Sequence, residues 1–216
     1  MVTSEGETES VSREVARLLL GLDAVSINVE HPFRYTSGIL SPIYCDNRLI
    51  ISFPSERRLI VSRLVERIAA TIGREGFDVI AGTATAGIPY AAWVSDQLGL
   101  PMIYVRAQAK EHGRGQRIEG RLQAGQRVIV VEDLVTTGGS SLSTVDGVEE
   151  AGGKVVGCAA IFSYELPKAV DAFAARQIPL MPLTGLSTLL EVAAESGYLP
   201  PERLAEAREW IERAFA

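Results

Sequence analysis

The sequence predicts an α/β protein whose central, mainly parallel sheet is flanked by helices. From about residue 55 to residue 195, short β-branched runs alternate with segments that carry apolar residues at helical spacing, which is typical of strands joined by helical crossovers. The strongest run, residues 128–131, is continuously apolar, as expected for a strand buried on both faces. With 216 residues, 47% of them apolar, the chain suffices for a single domain over residues 1–216.

The remaining elements are expected in the following order. Residues 1–10 are polar and are predicted to be frayed. From Val11, helical spacing of apolar residues predicts a first helix ending near residues 21–23. An irregular, turn-rich stretch then predicts a small hood, formed mainly by about residues 11–50 and packed on the sheet. Further helices are predicted near residues 55–73, 88–98, 139–151, 168–175, 186–194 and 201–214, and further strands at residues 79–82, 101–105, 155–162 and 178–181.

Composition argues against several classes of protein. The formal net charge of −6 disfavours a surface that coats nucleic acid. The sequence lacks an apolar run of about eighteen residues, and its acidic start lacks the basic and apolar regions of a signal peptide, so we expect no membrane span. Cys45 and Cys158 lie far apart, which predicts a reduced, cytoplasmic protein. With only two histidines, His31 and His112, a zinc site is not expected.

The strand at residues 128–131 leads into two carboxylates and a small-residue turn that opens a helix. Hydroxyl groups and backbone N–H groups at a helix N-terminus favour a bound phosphate. The carboxylates of Glu132 and Asp133 instead accept hydrogen bonds from hydroxyl groups or help to bind a divalent cation. A ribose 5-phosphate fits both features. The stretch is completed by Leu134, Val135, Thr136, Thr137, Gly138, Gly139 and Ser140.

This stretch also has a simpler interpretation, a solvated loop with an ordinary helix cap, which would be preferred for an isolated acidic pair before a glycine. Here the strand, the carboxylates, the turn and the helix must all coincide, which favours a binding site. The stretch is not a Walker-type loop, because no Gly-Lys-Ser/Thr follows, and the Gly-x-Gly-x-x-Gly spacing of a dinucleotide site is absent.

Two other segments are candidates for ligand contact. The turn at residues 82–87 is either a second phosphate-binding loop or a place of tight packing between strand and helix. Residues 106–117, which we call the cationic loop, carry four fixed positive charges and His112 but almost no apolar residue. A long connection of this kind between core strands indicates a lid over an anionic ligand, although each charge taken alone is compatible with a solvated loop.

Together these segments resemble the orotate phosphoribosyltransferase family, a branch of the type I phosphoribosyltransferases. The resemblance spans about residues 12–195 and rests on residues 37–48, 82–87 and 128–140 and on the Arg-x-x-x-Lys-x-His-Gly pattern that begins at Arg106. It implies a type I phosphoribosyltransferase fold. It also implies that orotate displaces pyrophosphate from 5-phosphoribosyl 1-pyrophosphate (PRPP), with Mg²⁺ as cofactor, giving orotidine 5′-monophosphate in de novo pyrimidine (UMP) biosynthesis.

The same resemblance implies roles for individual residues. Arg106, Lys110 and His112 would close on pyrophosphate and, with Asp133, form the catalytic set, the loop coming from the neighbouring subunit of a homodimer. Thr136 would also contact orotate. Mg²⁺ would be held mainly by the substrate rather than by protein side chains, and neither nucleic acid nor membrane is an expected partner. The implied PRPP-binding set is Arg106, Lys110, His112, Glu132, Asp133, Leu134, Val135, Thr136, Thr137, Gly138, Gly139 and Ser140.

Several positions depart from the pattern of that family. Alanine or threonine replaces a common lysine at Ala86, Ala107 and Thr36, and residues 163–165 lack an arginine for the orotate carboxylate. These differences indicate a separate subfamily in which the carboxylate partner is Arg34 or Arg48.

Two alternative functions are compatible with the central stretch. A purine phosphoribosyltransferase would need a base-stacking aromatic residue in a C-terminal hood, and residues 180–190 supply none. A non-catalytic PRPP-sensing regulator would need a basic nucleic-acid face or an added DNA-binding module, which the net charge of −6 does not favour.

Overall fold

The computed structural model describes residues 5–28, 30–34, 40–107 and 117–215. Its α-helices are α1 (Glu5–Gly21), α2 (Pro54–Ile72), α3 (Gly87–Leu98), α4 (Gly139–Glu150), α5 (Pro167–Ala175), α6 (Leu186–Glu195) and α7 (Leu204–Phe215). Its strands are β1 (Val25–Ile27), β2 (Phe33–Arg34), β3 (Leu40–Ser41), β4 (Ile43–Cys45), β5 (Val79–Thr83), β6 (Met102–Val105), β7 (Ile118–Glu119), β8 (Arg127–Val135), β9 (Lys154–Ser163) and β10 (Leu180–Gly185). Two 3-10 helices cover Asn47–Ser52 and Pro201–Arg203.

The main sheet has six strands in the order β10-β9-β8-β5-β6-β7. Every neighbouring pair is parallel except the edge pair β6 and β7, which confirms the predicted mainly parallel sheet. Along β8, Ile129 and Val131 belong to one buried cluster, and Val128 and Val130 belong to the other. Because successive side chains point to opposite faces of a strand, this continuous apolar run packs against helices on both sides of the sheet.

The chain leaves the centre of the sheet in two directions. From β5 it crosses through α3 to β6 on one side, and from β8 it crosses through α4 to β9 on the other. Strands β5 and β8 are direct neighbours. In an open parallel sheet, such a reversal opens a crevice at the carboxyl ends of the two strands, where ligands bind. The fold therefore places a ligand crevice at the ends of β5 and β8.

The hood consists of short ribbons and a 3-10 helix. Strands β1 and β4 pair antiparallel, as do β2 and β3. Val25, Ile43 and Ile50 are fully buried and belong to the same apolar cluster as Ile60 and Leu64 of α2. The hood therefore packs on the helices of the main sheet, as the sequence predicts.

Two expected boundaries, those of the first helix and the last strand, are wrong. Helix α1 begins at Glu5, whereas residues 1–10 were expected to be frayed. Acidic residues near the start of a helix are favoured by its dipole, and Ser12 anchors the helix through a 3.1 Å hydrogen bond to Thr184. Strand β10 begins at Leu180, two residues after the predicted start, because the N–H of Ile178 donates to Phe173 O at the end of α5.

The last predicted helix is divided into a 3-10 turn and α7. Ala207 is fully buried, and Leu204 and Trp210 pack against the core. The predicted members Ile211 and Ala214 lie where the structure does not describe side chains. None of the described helices is long and apolar enough to cross a membrane.

Candidate functional site

The central site forms where β8 ends and α4 begins. The strand continues through Glu132 and Asp133 to Val135, whose carbonyl accepts a 2.9 Å hydrogen bond from the N–H of Tyr164 on the adjoining chain segment. Residues 136–140, which we call the phosphate turn, then lead into α4. Gly138 has φ +79°, a left-handed conformation that favours glycine. Gly139 and Ser140 at the start of the helix are exposed to solvent.

Glu132 lies beneath the phosphate turn and is only 4% exposed. Its Oε2 accepts hydrogen bonds from Ser140 Oγ at 3.0 Å and Ser141 Oγ at 3.2 Å, while its Oε1 accepts from the Asp133 N–H at 3.2 Å. Burial, and then the charge of Asp133, raise the pKa of this carboxyl group. Glu132 therefore ties the first turn of α4 to the end of β8.

Asp133 is the more accessible member of the acidic pair and is half-buried. Burial raises its pKa, whereas the hydrogen bond with Glu132 and the charge of Arg48 oppose that rise. Its main-chain carbonyl accepts a 2.6 Å hydrogen bond from Asn47 Nδ2 in the hood. The hood thus contacts the end of β8 at the residue that carries the accessible carboxylate.

The turn at residues 82–87 lies at the end of β5, directly beside β8. A Cβ atom on Gly87 would lie 2.4 Å from Val131 O, and one on Gly82 would lie 3.0 Å from the Ala91 Cβ. Tight packing therefore explains both glycines. The buried hydroxyl of Thr83 has no hydrogen-bond partner among the described residues, which is uncommon in a folded protein. That hydroxyl leaves the phosphate-binding alternative open.

The base of the cationic loop is anchored to the main sheet. The Arg106 N–H donates to Arg117 O at 2.9 Å, and Arg117 Nε donates back to Arg106 O at 3.1 Å. Arg117 also donates to the carbonyl and hydroxyl oxygens of Ser143 on α4. Arg117 therefore fixes the base of the loop, although its charge was expected to belong to the lid.

Arg106 is half-buried at the start of the cationic loop, and its guanidinium lies 3.4 Å from a carboxylate oxygen of Glu119. Glu119 belongs to the two-residue edge strand β7, which the sequence analysis did not predict. The predicted catalytic residues Lys110 and His112 lie outside the described residues. Of the three loop residues predicted to act on pyrophosphate, Arg106, Lys110 and His112, the structure describes Arg106, which lies beside the edge strand β7.

The candidate partners of an orotate carboxylate differ in their surroundings. Arg48 is exposed and forms a two-point ion pair with Asp46 at 2.6 and 2.7 Å. Its positive charge opposes the rise in the pKa of Asp133 that burial causes. Arg34 is exposed on β2. In the stretch at residues 163–165, where the resemblance led us to expect an arginine, Glu165 accepts a 2.8 Å hydrogen bond from the N–H of Ser187 at the start of α6.

The crevice thus combines a solvent-exposed helix N-terminus, an acidic pair and a nearby cation. Such an arrangement can bind a sugar phosphate through N–H groups and carboxylates. Among the described residues, no cluster of three or more His, Cys, Asp or Glu side chains could by itself hold a metal ion. Sequence reasoning did not identify a role for Asn47 or Ser141, of which only Ser141 is signalled by its place directly after the phosphate turn.

The chain is similar in sequence and in structure to known proteins. The profile of the phosphoribosyl transferase domain family matches residues 56–174. An orotate phosphoribosyltransferase of Listeria monocytogenes is 51% identical over 93% of this chain and 95% of the relative. The structure of an orotate phosphoribosyltransferase from Aeropyrum pernix matches with TM-score 0.74 and 28% identity, covering 86% of this chain and 99% of that one. A UMP synthase of Leishmania donovani matches with TM-score 0.78 and 28% identity, over 94% of this chain and 42% of that longer one.

Proposed function

Because this chain belongs to the orotate phosphoribosyltransferase family, we propose that it transfers the phosphoribosyl group of PRPP to orotate, in pyrimidine (UMP) biosynthesis. The products are orotidine 5′-monophosphate and pyrophosphate. The observation that carries the proposal is the acidic pair beside the phosphate turn, at the crevice between β5 and β8. An open parallel sheet binds its ligand at this place, and a ribose phosphate matches the groups found there.

We propose that the phosphate turn binds the 5-phosphate of PRPP. The backbone N–H groups at the start of α4 and the side chains of Thr136, Thr137 and Ser140 supply donors there. Leu134 and Val135 lead the chain into this turn and contribute main-chain groups. Asp133 accepts hydrogen bonds from the ribose hydroxyls, and Glu132 supports the turn from below through Ser140 and Ser141.

The cationic loop acts on the leaving group in this mechanism. As the bond at the anomeric carbon breaks, negative charge builds on the pyrophosphate and positive charge builds on the ribose ring. Arg106, Lys110 and His112 placed against the pyrophosphate stabilise the transition state more than the ground state. The carboxylate of Asp133 favours the developing positive charge on the ribose. A closed loop also excludes water from the reactive ribose.

Magnesium is the proposed cofactor, held mainly by oxygen atoms of PRPP. Mg²⁺ typically binds one or two carboxylates together with substrate phosphates, and the half-buried carboxylate of Asp133 would be a donor of that kind, whereas both oxygens of the buried Glu132 already accept hydrogen bonds. Bound magnesium neutralises charge on phosphoryl oxygens during the transfer.

Orotate enters from the hood side in this proposal. Thr136 contacts the base, and Arg48 binds its carboxylate, because Arg48 directly follows Asn47, whose side chain contacts the main chain of Asp133 at the site. An arginine presents paired donors that suit a carboxylate. Replacing Arg48 with Gln should raise the KM for orotate by about tenfold, while the same change at Arg34 serves as the matched comparison. The reverse pattern would assign the carboxylate to Arg34.

We further propose a homodimer in which each cationic loop serves the site of its partner, located in a reducing cytoplasm. Both cysteines are buried free thiols, as suits that compartment. Mixing Lys110→Ala and Asp133→Asn subunits should restore activity, because a hybrid dimer holds one site with both native residues. Sedimentation should show dimers, and hybrids that recover no activity would contradict the shared loop.

The decisive test of function is an ultraviolet assay of orotate consumption with PRPP and magnesium. Adenine, hypoxanthine, xanthine and uracil are run beside it, and turnover of a purine without turnover of orotate would contradict the proposal. Lys110→Ala should remove most of kcat at an unchanged melting temperature. Lys168→Ala, an exposed lysine on α5, is the control. An equal loss of melting temperature would make Lys110 structural.

A further inference from the structure

Asn47 is a fully buried polar residue where the hood meets the central sheet. Its Nδ2 donates to the main-chain oxygen of Asp133 at 2.6 Å. Its Oδ1 accepts from Cys45 Sγ at 3.3 Å, and its main-chain oxygen accepts from Tyr90 Oη at 2.6 Å. Both ends of the side-chain amide therefore have partners, as a buried amide requires.

The partners of Asn47 come from three separate parts of the molecule. Cys45 ends strand β4 of the hood, Tyr90 lies on α3 behind the turn at residues 82–87, and Asp133 lies near the end of β8. Burial raises the pKa of both Cys45 and Tyr90, so both remain protonated donors at neutral pH. Asn47 thus joins the hood, helix α3 and the acidic pair at one point.

The bond to Asp133 differs from the other two because of where it ends. It holds the peptide group of the very residue whose side chain faces the crevice. Rotation of that peptide would move the Asp133 carboxylate and also the strand that leads into the phosphate turn. Arg48 follows Asn47 in the 3-10 helix of the hood. The Asn47 side chain therefore helps to set the distance between the hood, which carries Arg48, and the end of β8, which carries Asp133.

We propose that Asn47 is a positioning residue for the transfer reaction. It holds Asp133 and the hood in the relative position that brings the base and the ribose together. The proposal rests on the function proposed above. Orientation of two reactants contributes a large part of enzymatic acceleration, and a misplacement of about 1 Å costs up to about a hundredfold in rate. Loss of the amide should therefore lower kcat more than it lowers the affinity for either substrate.

The test compares Asn47→Ala with Tyr90→Phe. Tyr90→Phe removes a buried hydrogen bond to the same 3-10 helix but leaves the Asn47 amide on Asp133. Both variants lose stability, which a urea titration measures. Asn47→Ala should lower kcat for orotate and PRPP by at least about tenfold, with the calorimetric Kd for PRPP changed by less than about threefold. Tyr90→Phe should keep kcat within about twofold of the wild type.

Asn47→Leu provides a second variant if Asn47→Ala does not fold. Leucine has nearly the same shape and fills the space that alanine leaves empty, but it has neither the donor to Asp133 nor the acceptor for Cys45. It should show the same loss of kcat. The proposal is overturned if the Asn47 variants keep kcat within about twofold, or if kcat falls equally in Tyr90→Phe of matched stability.

The wild-type protein in the same assay separates this proposal from the proposed function. If it turns over orotate and the Asn47 variants keep kcat within about twofold of it, only the role of Asn47 fails. If it turns over another base, the function fails, and the same ratio of kcat values is then measured with that base and still decides whether Asn47 positions the reaction.

Discussion

The carboxyl ends of β5 and β8 lie side by side and look alike in sequence, yet they carry different chemistry. Each strand runs into a turn of small residues and then into a helix. Both turns include exposed residues, but the β8 turn follows two carboxyl groups, whereas the β5 turn has no charged residue, and packing determines its glycines. A strand, a glycine turn and a helix therefore do not by themselves make a binding site; the charged groups beside the turn decide.

The ends of β5 and β8 are also in direct packing contact. Gly87 at the start of α3 lies against Val131 O and close to the Glu132 Cα. The turn after β5 thus presses on the strand that presents the acidic pair. This contact indicates that the β5 end supports the site and the β8 end carries its chemistry, and four substitutions test that division.

The largest effect is expected from Asp133→Asn. Loss of the charge that favours the cationic ribose should lower kcat/KM by about 10² to 10³, comparable to the loss of one preorganised electrostatic group. Stability should be unchanged or higher, because burial already disfavours the charged form of Asp133. Steady-state kinetics and thermal melting measure the two effects.

Asp171→Asn, a change at an exposed aspartate on α5, is the matched control and should leave both quantities unchanged. A loss of melting temperature in Asp133→Asn as large as the loss of activity would instead make Asp133 a structural residue.

The next effect is expected from Gly87→Ala, which tests the support function of the β5 end. The added Cβ would lie 2.4 Å from a main-chain oxygen of β8, which cannot move without shifting the strand. We expect a loss of about 3 kcal/mol in the free energy of unfolding, the upper range for overpacking, together with reduced activity. Urea unfolding measures the first and the orotate assay the second.

Gly21→Ala is the control, since no atom lies within 4 Å of a Cβ at that position. It should be neutral or slightly stabilising in a helix. If Gly87→Ala keeps wild-type stability, the two strand ends are not interlocked as the structure indicates.

A smaller effect is expected from Glu132→Gln, and it should depend on pH. The folded-state pKa of Glu132 is raised, so the protonated form contributes stability at low pH, and that contribution is lost as pH rises towards the raised pKa. Each such group changes the unfolding free energy by at most about 1.4 kcal/mol per pH unit. The amide of the variant stays neutral at every pH, so the melting temperature of the variant relative to the wild type should increase with pH between about 5 and 8.

Ser140→Ala separates this titration from the loss of a hydrogen bond, because it removes one donor to Glu132 and leaves the carboxyl group in place. The difference in melting temperature between Ser140→Ala and the wild type should vary less with pH than the difference for Glu132→Gln. If the difference in melting temperature between Glu132→Gln and the wild type is the same at every pH between about 5 and 8, Glu132 is ionised in the folded protein throughout that range.

The sequence predicted the parts of this site that depend on neighbours along the chain. The apolar run at residues 128–131 and the turn after it are local patterns, and the structure has the strand and helix there. Asn47 could not be predicted, because its role depends on a contact with Asp133 across the fold. Arg117 was misassigned for the same reason, since its bonds to Ser143 join distant segments. Strand β7, only two residues long, has no periodicity to detect.

The smallest effect is expected from Thr83→Val, and it decides whether the β5 end takes part in binding. The buried Thr83 hydroxyl has no partner among the described residues, so its removal should stabilise the protein by up to about 1 kcal/mol. We expect the KM for PRPP to rise by about threefold, because a substrate oxygen is the partner that the hydroxyl lacks. The same change at Thr184, whose hydroxyl accepts a bond from Ser12 at 3.1 Å, should instead destabilise the protein. If Thr83→Val stabilises the protein and leaves the KM for PRPP unchanged, packing alone explains the turn at residues 82–87. In that case the β8 end binds the substrate and the β5 end does not.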